Sequence, residues 1–262
     1  MSRSLSRIFL SIIIASVLAA CATNIAGRKQ VMLVSESKAI SASKQAYVNT
    51  LEPFKKAGKL DSDTALVKRI NRITTRLIEQ AGMMRPETRK WDWSVKVIDD
   101  PKVVNAWCMA GGKMAFYTGL IAQLKLTDDE IAQVMGHEIA HALLNHTAER
   151  MSVAMASDLA VNLYNATIGI STGTTSLATA AAQVAVKLPN SRQSESEADR
   201  IGIELAAKAG YNPNASVTLW QKMSRLGGGS LEFMSTHPSP KNREKALKRL
   251  IPKMMPYYQA AR

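Results

Sequence analysis

His137 and His141 stand four residues apart with Glu138 between them, in the pattern H-E-x-x-H. At about 100° per residue, positions four apart share one face of an α-helix, one turn apart. The pattern therefore asks for a helix over these residues. Thr127-Asp128-Asp129-Glu130 reads as a capping box that starts it. Two imidazoles on one face can grip one Zn²⁺, and Glu138 flanks the same position, where it can take a proton from a bound water. The plainer alternative is a helix with one buried and one surface histidine. The chain has only 4 histidines, which weighs against that alternative as a chance spacing.

A zinc site that does chemistry takes three protein ligands and leaves a fourth position to water. His146, on a continuous helix, would rotate to the far side from His137, so it reads as a residue behind the ligands or on the surface. Ser191 to Asp199 offers a better candidate. Glu195 and Asp199 are four apart and share a face. Glu195 can complete the ligand set. Asp199 can accept a hydrogen bond from a ligand imidazole, fixing its tautomer. Glu197 lies about 200° round the helix from Glu195 and points elsewhere. The alternative is a solvated acidic helix start that complements the helix dipole.

The beginning of the chain reads as a targeting segment. Arg3 and Arg7 precede an apolar run from Ile8 to Ala20, too short to span a bilayer comfortably. Leu18-Ala19-Ala20-Cys21 resembles the bacterial lipobox, in which the cysteine becomes the lipidated first residue. Ala22 after it, by similarity to enterobacterial sorting, favours the outer membrane. The expected organisation is a signal peptide over 1–20, a lipid-anchored tether over 21–34 and one domain over 35–262. Without Arg3 and Arg7 the net charge falls from +13 to +11. In an exported chain this basicity points away from nucleic acid and towards anionic lipid or acidic polypeptides, the equal alternative being a merely solvated basic surface. With Cys21 acylated, Cys108 has no partner, so stability must come from an apolar core and the metal.

Along the rest of the chain, Leu66, Ile70, Ile73 and Leu77 fall at helical spacing, and Trp91, Trp93, Val95 and Val97 alternate as a strand. Val103 to Met109 and Lys113 to Thr118 flank Gly111-Gly112 as a hairpin. Leu159 to Val186 carries no charge, but its polar and glycine residues predict two short helices joined by a loop. Gln193 to Ala209 reads as a helix, Gly227-Gly228-Gly229 as a break, and Ser239-Pro240 as the start of a basic helix. The fold class is α+β: a mainly helical domain with a small β-sheet beside the zinc helix.

H-E-x-x-H followed by Ser191-Arg192 and Glu195-x-Glu197-Ala198-Asp199 resembles metallopeptidase family 48, the gluzincins that include HtpX and the CAAX-prenyl endopeptidases. Asn105-Ala106, Gly111 to Met114, Thr118 to Leu120 and Thr236-His237-Pro238 are also similar to family segments, the last to its soluble periplasmic branch. The resemblance implies a zincin-like endopeptidase with one Zn²⁺ held by His137, His141 and Glu195. Glu138 would be the base and Asp199 the orienting partner. It also places His237 near the metal, as an oxyanion donor, an inhibitory fourth ligand or a turn residue. Lys113, Met114, Ala115 and Phe116 are expected to form an edge strand that pairs with extended substrates, which suits unfolded or misassembled envelope proteins. Two other classes stay open: an envelope chaperone with a structural zinc, and a membrane-surface module using the basic helix from Pro240 to Ile251.

Overall fold

The computed structural model describes residues 21–167, 175–226, 232–238 and 242–262. Residues 1–20, expected to be a signal peptide, Gly227 to Gly229, Ser239-Pro240 and residues 168–174 lie outside the described residues. In chain order, β1 (Cys21–Thr23) and β2 (Lys29–Val31) form an antiparallel hairpin, followed by α1 (Glu36–Lys56) and α2 (Thr64–Met84). Within 21–34, the stretch expected to be a tether, residues 21–31 pair as this hairpin. Its Gln30 amide donates to the Leu144 carbonyl at 2.9 Å and to Glu149 at 2.8 Å, which fixes it to the body of the fold.

β3 (Ser94–Ile98), β4 (Ala106–Met109) and β5 (Lys113–Tyr117) form a sheet in the order β3-β5-β4. β4 and β5 are antiparallel, and β3 runs parallel to β5. The hairpin between β4 and β5 turns through Ala110, Gly111 and Gly112; both glycines are at positive φ (78° and 76°), which glycine adopts without strain. The order corrects one expectation. β5, which carries Lys113, Met114, Ala115 and Phe116, is the central strand, and both its sides are already paired. Every residue of β4 and β5 is buried, so alternation could not reveal which strand lies outside.

After α3 (Thr118–Leu124) comes α4 (Asp128–Leu143), the helix of the H-E-x-x-H. Its capping box forms between Thr127 and Glu130, and every residue from Glu130 to Leu143 is buried. Ile131, Met135 and Ile139 on α4 are fully buried, each worth roughly 1.5–3 kcal/mol of apolar transfer. α4 ends because Asn145 takes a left-handed conformation (φ 57°), which asparagine tolerates, and α5 (His146–Thr167) starts at once. α6 (Leu177–Ala182) and one turn of π-helix (Gln183–Lys187) follow, packed on α1 and β4. Among the described residues no helix is long and apolar enough to cross a membrane.

α7 (Arg192–Lys208) lies against α4 over most of its length. Glycines allow the approach: a Cβ on Gly202 would stand 2.8 Å from the backbone N and Cα of His137. α8 (Ala215–Arg225), α9 (Glu232–Thr236) and α10 (Arg243–Ala260) complete the fold, α8 and α10 packing on the far side of α7 and α4. The architecture is the mainly helical α+β class read from the sequence.

Candidate metal centre

α4 presents His137 and His141 on one face, with their Nε2 atoms 3.1 Å apart. α7 presents Glu195 opposite them. Its carboxylate oxygens lie 3.3 Å from His137 Nε2 and 3.3 Å from His141 Nε2. The residue after α9, His237, completes the group: its Nδ1 is 3.0 Å from Glu195 Oε1 and 3.3 Å from His137 Nε2. One atom from each of these four buried residues can be chosen so that all lie within 4.8 Å of one another. Three imidazole nitrogens and one carboxylate oxygen converging this closely fit a tetrahedral Zn²⁺ set in chemistry and number. A second observation supports the fit. Glu138 Oε1 is buried with no hydrogen-bond partner, and it lies 3.4 Å from His237 Nε2, beside the cluster.

Burial pushes Glu138 above the usual carboxylate range, although His237, His137 and the Cys108 amide pull the other way. Burial would also raise Glu195, but His237, His137 and His141 outweigh it and hold it well below its ordinary value. Burial opposes the charged form of His137, yet Glu195 and Asp199 raise it to about 9. His141 goes the other way: burial dominates and lowers it well below its ordinary value. His137 lies between two carboxylates, Glu195 on its Nε2 side and Asp199 on its Nδ1 side.

The two carboxylates of α7 divide as their spacing suggests. Asp199 Oδ1 lies 3.1 Å from His137 Nδ1, on the side of the ring away from the cluster. That contact leaves Nε2 to face Glu195.

The model of peptidase family M48 matches residues 65–251, well over half of the 262 residues. The chain belongs to peptidase family M48. Among M48 relatives, it is 40% identical over 157 residues to the mitochondrial metalloendopeptidase OMA1 of Arabidopsis thaliana, covering 59% of this chain and 31% of that protein. It is 32% identical over 244 residues to the mitochondrial metalloendopeptidase OMA1 of Homo sapiens, covering 88% and 46%. It is 34% identical over 137 residues to the metalloprotease YcaL of Escherichia coli, covering 52% and 53%. The chain thus spans about half or less of the length of these M48 relatives. Membership in the family implies a catalytic metal.

The M48 match includes residues that spacing alone did not reveal. Arg243, at the start of α10, is buried; it donates from Nη1 to Glu195 Oε2 at 3.0 Å and from Nη2 to Asp199 Oδ1 at 2.5 Å. Its guanidinium lies over the Trp220 ring, 3.6 Å from the centroid. Asn190 donates from Nδ2 to His237 Nδ1 at 3.3 Å, and its Oδ1 accepts from Arg150 at 2.6 Å. His146 takes one of its two expected places, behind the ligands, but by a route that a continuous helix does not offer. Because α4 stops at Asn145, the chain turns back and His146 Nδ1 comes to 2.8 Å from His141 Nδ1, instead of rotating away on a continuous helix. Glu197 does point away from the metal cluster, and what it meets is His146, at 3.2 Å.

Proposed function

We propose that this chain is a zinc-dependent metalloendopeptidase that cleaves unfolded or misassembled envelope proteins. The observation that carries it is the convergence of His137, His141 and Glu195 with the buried, unpartnered carboxylate oxygen of Glu138 beside them. Bound in that cluster, Zn²⁺ would lower the pKa of a water from about 15.7 towards 7 and polarise the scissile carbonyl. His137 and His141 would supply Nε2 lone pairs, and Glu195 one carboxylate oxygen. Glu138, with its proton affinity raised by burial, takes a proton from the attacking water and delivers it to the departing amine. Asp199 holds the His137 ring, and Arg243 holds the two carboxylates of α7.

With β5 in the centre of the sheet, β3 and β4 are its outer strands, and β4 is the one beside Glu138. The Asn105 and Met109 carbonyls accept from the Tyr117 and Gly112 amides, so Ala106 and Cys108 face outward. Cys108 directs its amide towards Glu138. An extended polypeptide added to that edge would pass the catalytic carboxylate, which favours recognition of backbone over side chains. The π-turn Gln183–Lys187 packs on β4, so substrate entry requires this turn to yield.

A four-ligand set that includes His237 would be closed, which is the mark of structural zinc. This favours the second reading, a non-proteolytic envelope factor. Glu138 Oε1, buried without a hydrogen bond, favours the enzyme, since a structural site has no use for a buried base. His237 then holds a resting site closed. Lipidation at Cys21 and a place in the bacterial cell envelope, tethered to the outer membrane and facing the periplasm, rest on the lipobox. The decisive experiment is Glu138→Gln in the full chain. Zinc should remain bound at one ion per chain while casein cleavage is lost. Full cleavage by that variant would overturn the assignment.

A further inference from the structure

The metal cluster is connected to the β1–β2 hairpin through a chain of side chains that spans the fold. His141 Nδ1 lies 2.8 Å from His146 Nδ1, and His146 Nε2 lies 3.2 Å from Glu197 Oε2. Glu197 Oε1 accepts from Arg28 Nε at 2.5 Å, and Oε2 accepts from Asn24 at 3.0 Å. Arg28 reaches Glu149 with its other two nitrogens, at 2.5 and 2.6 Å. Asn24 Oδ1 accepts from the amides of Ala26 and Arg28, which shapes the hairpin turn that delivers Arg28. His146 is 1% exposed, so the chain of contacts is shielded from water at its centre.

The direction of each proton follows from what each partner can do. A carboxylate paired with arginine only accepts, so Glu197 requires the proton of His146 on Nε2. His146 Nδ1 is then a bare acceptor. His141 must donate to it from Nδ1, and its own lone pair is left on Nε2, the atom that faces His137 and Glu195. Glu197 thus sets the tautomer of a ligand two imidazoles away, and Arg28 holds Glu197 in place.

We infer that Glu197 and Arg28 are positioning residues of the metal centre, acting through His146 to present His141 Nε2 to the metal, and that the hairpin 21–31 is part of that centre. This rests on the assignment of His141 as a metal ligand. Arg28 lies outside residues 65–251, so the link to the hairpin is an addition to the part of the chain that the family match covers. Outer partners of ligand histidines change metal affinity by about 10–100-fold when removed.

The test uses the full chain. Zn²⁺ affinity is measured by competition with a chromophoric chelator, and the geometry is read from the visible spectrum of the Co²⁺-loaded protein. Glu197→Ala and Arg28→Ala should each weaken Zn²⁺ binding about 10–100-fold and alter the Co²⁺ spectrum. Arg28→Lys should restore affinity only in part, because an ammonium cannot bridge Glu197 and Glu149 as a guanidinium does. Long-range ¹H–¹⁵N NMR of the zinc-loaded wild type needs no variant: it should show His146 protonated on Nε2 and His141 on Nδ1. His146 protonated on Nδ1 would overturn the inference, as would wild-type affinity and an unchanged Co²⁺ spectrum in both alanine variants. His141→Ala separates the two levels. If it binds Zn²⁺ as the wild type does, the metal assignment itself fails. If it loses Zn²⁺ while Glu197→Ala and Arg28→Ala keep it, only the role of the hairpin fails.

Discussion

Gly202 and His137 meet backbone to backbone: a Cβ on the glycine would stand 2.8 Å from both N and Cα of the histidine. The contact brings α7 against α4 at the level of His137. In Gly202→Ala the better helix propensity contributes about 1 kcal/mol, while overpacking against backbone costs about 1–3 kcal/mol. The clash should win. Expected are a lower melting temperature and weaker Zn²⁺ retention. A variant as stable and as zinc-tight as the wild type would show that the helices are not held this close.

Arg243 neutralises two carboxylates that α7 holds side by side, Glu195 and Asp199. Removing one partner of a buried ion pair costs about 3–5 kcal/mol, because the remaining charge is left uncompensated. In Arg243→Met that loss should appear in full in metal-free protein and shrink when Zn²⁺ is loaded, since the cation compensates Glu195. Thermal melts with and without Zn²⁺ measure the difference. Equal losses in both states would mean that Arg243 supports the fold without serving the site.

If His237 closes the site at rest, His237→Ala should keep Zn²⁺ on the remaining three ligands and cleave casein at least as fast per loaded site. Loss of one donor should also change the Co²⁺ spectrum. A fall of about 10²-fold in kcat with KM unchanged would instead make His237 an oxyanion donor.

Glu130 ties the start of α4 to α8. It accepts from the Thr127 amide at 3.0 Å, from Thr218 at 2.8 Å and from Lys222 at 2.6 Å. Burial would raise its pKa, but Lys222, Thr127 and Thr218 outweigh it and lower it. A carboxyl depressed in the folded state contributes stability above its unfolded value, about 4.3, and loses it as pH falls through the folded value. Glu130→Gln should therefore be destabilised by about 1 kcal/mol near neutral pH, with the gap to wild type narrowing in acid. Denaturant melts at several pH values test this; a gap independent of pH would remove the charge from the explanation.

Much of the helix that carries H-E-x-x-H was legible in the sequence because its signals are local. The capping box at Thr127, the i,i+4 histidines and the i,i+4 pair Glu195 and Asp199 each need only helical periodicity. What escaped depends on single backbone angles or distant contacts. The left-handed turn at Asn145 returns His146 to His141, and nothing in the spacing of a continuous helix foretells it. Arg243 is 48 residues from Glu195, and Arg28 is 169 from Glu197, so neither pairing leaves a periodic trace. The strand order escaped for another reason. β4 and β5 are buried on both faces, and the apolar pattern of a central strand does not differ from that of its buried neighbour.

All 4 histidines of the chain belong to one connected group, through contacts of 3.1 Å from His141 to His137, 3.3 Å from His137 to His237 and 2.8 Å from His141 to His146. No imidazole lies elsewhere to add background. The imidazole NMR signals of this protein, and its uptake of any histidine-directed reagent, are therefore direct readouts of the metal centre in the unmodified wild-type chain.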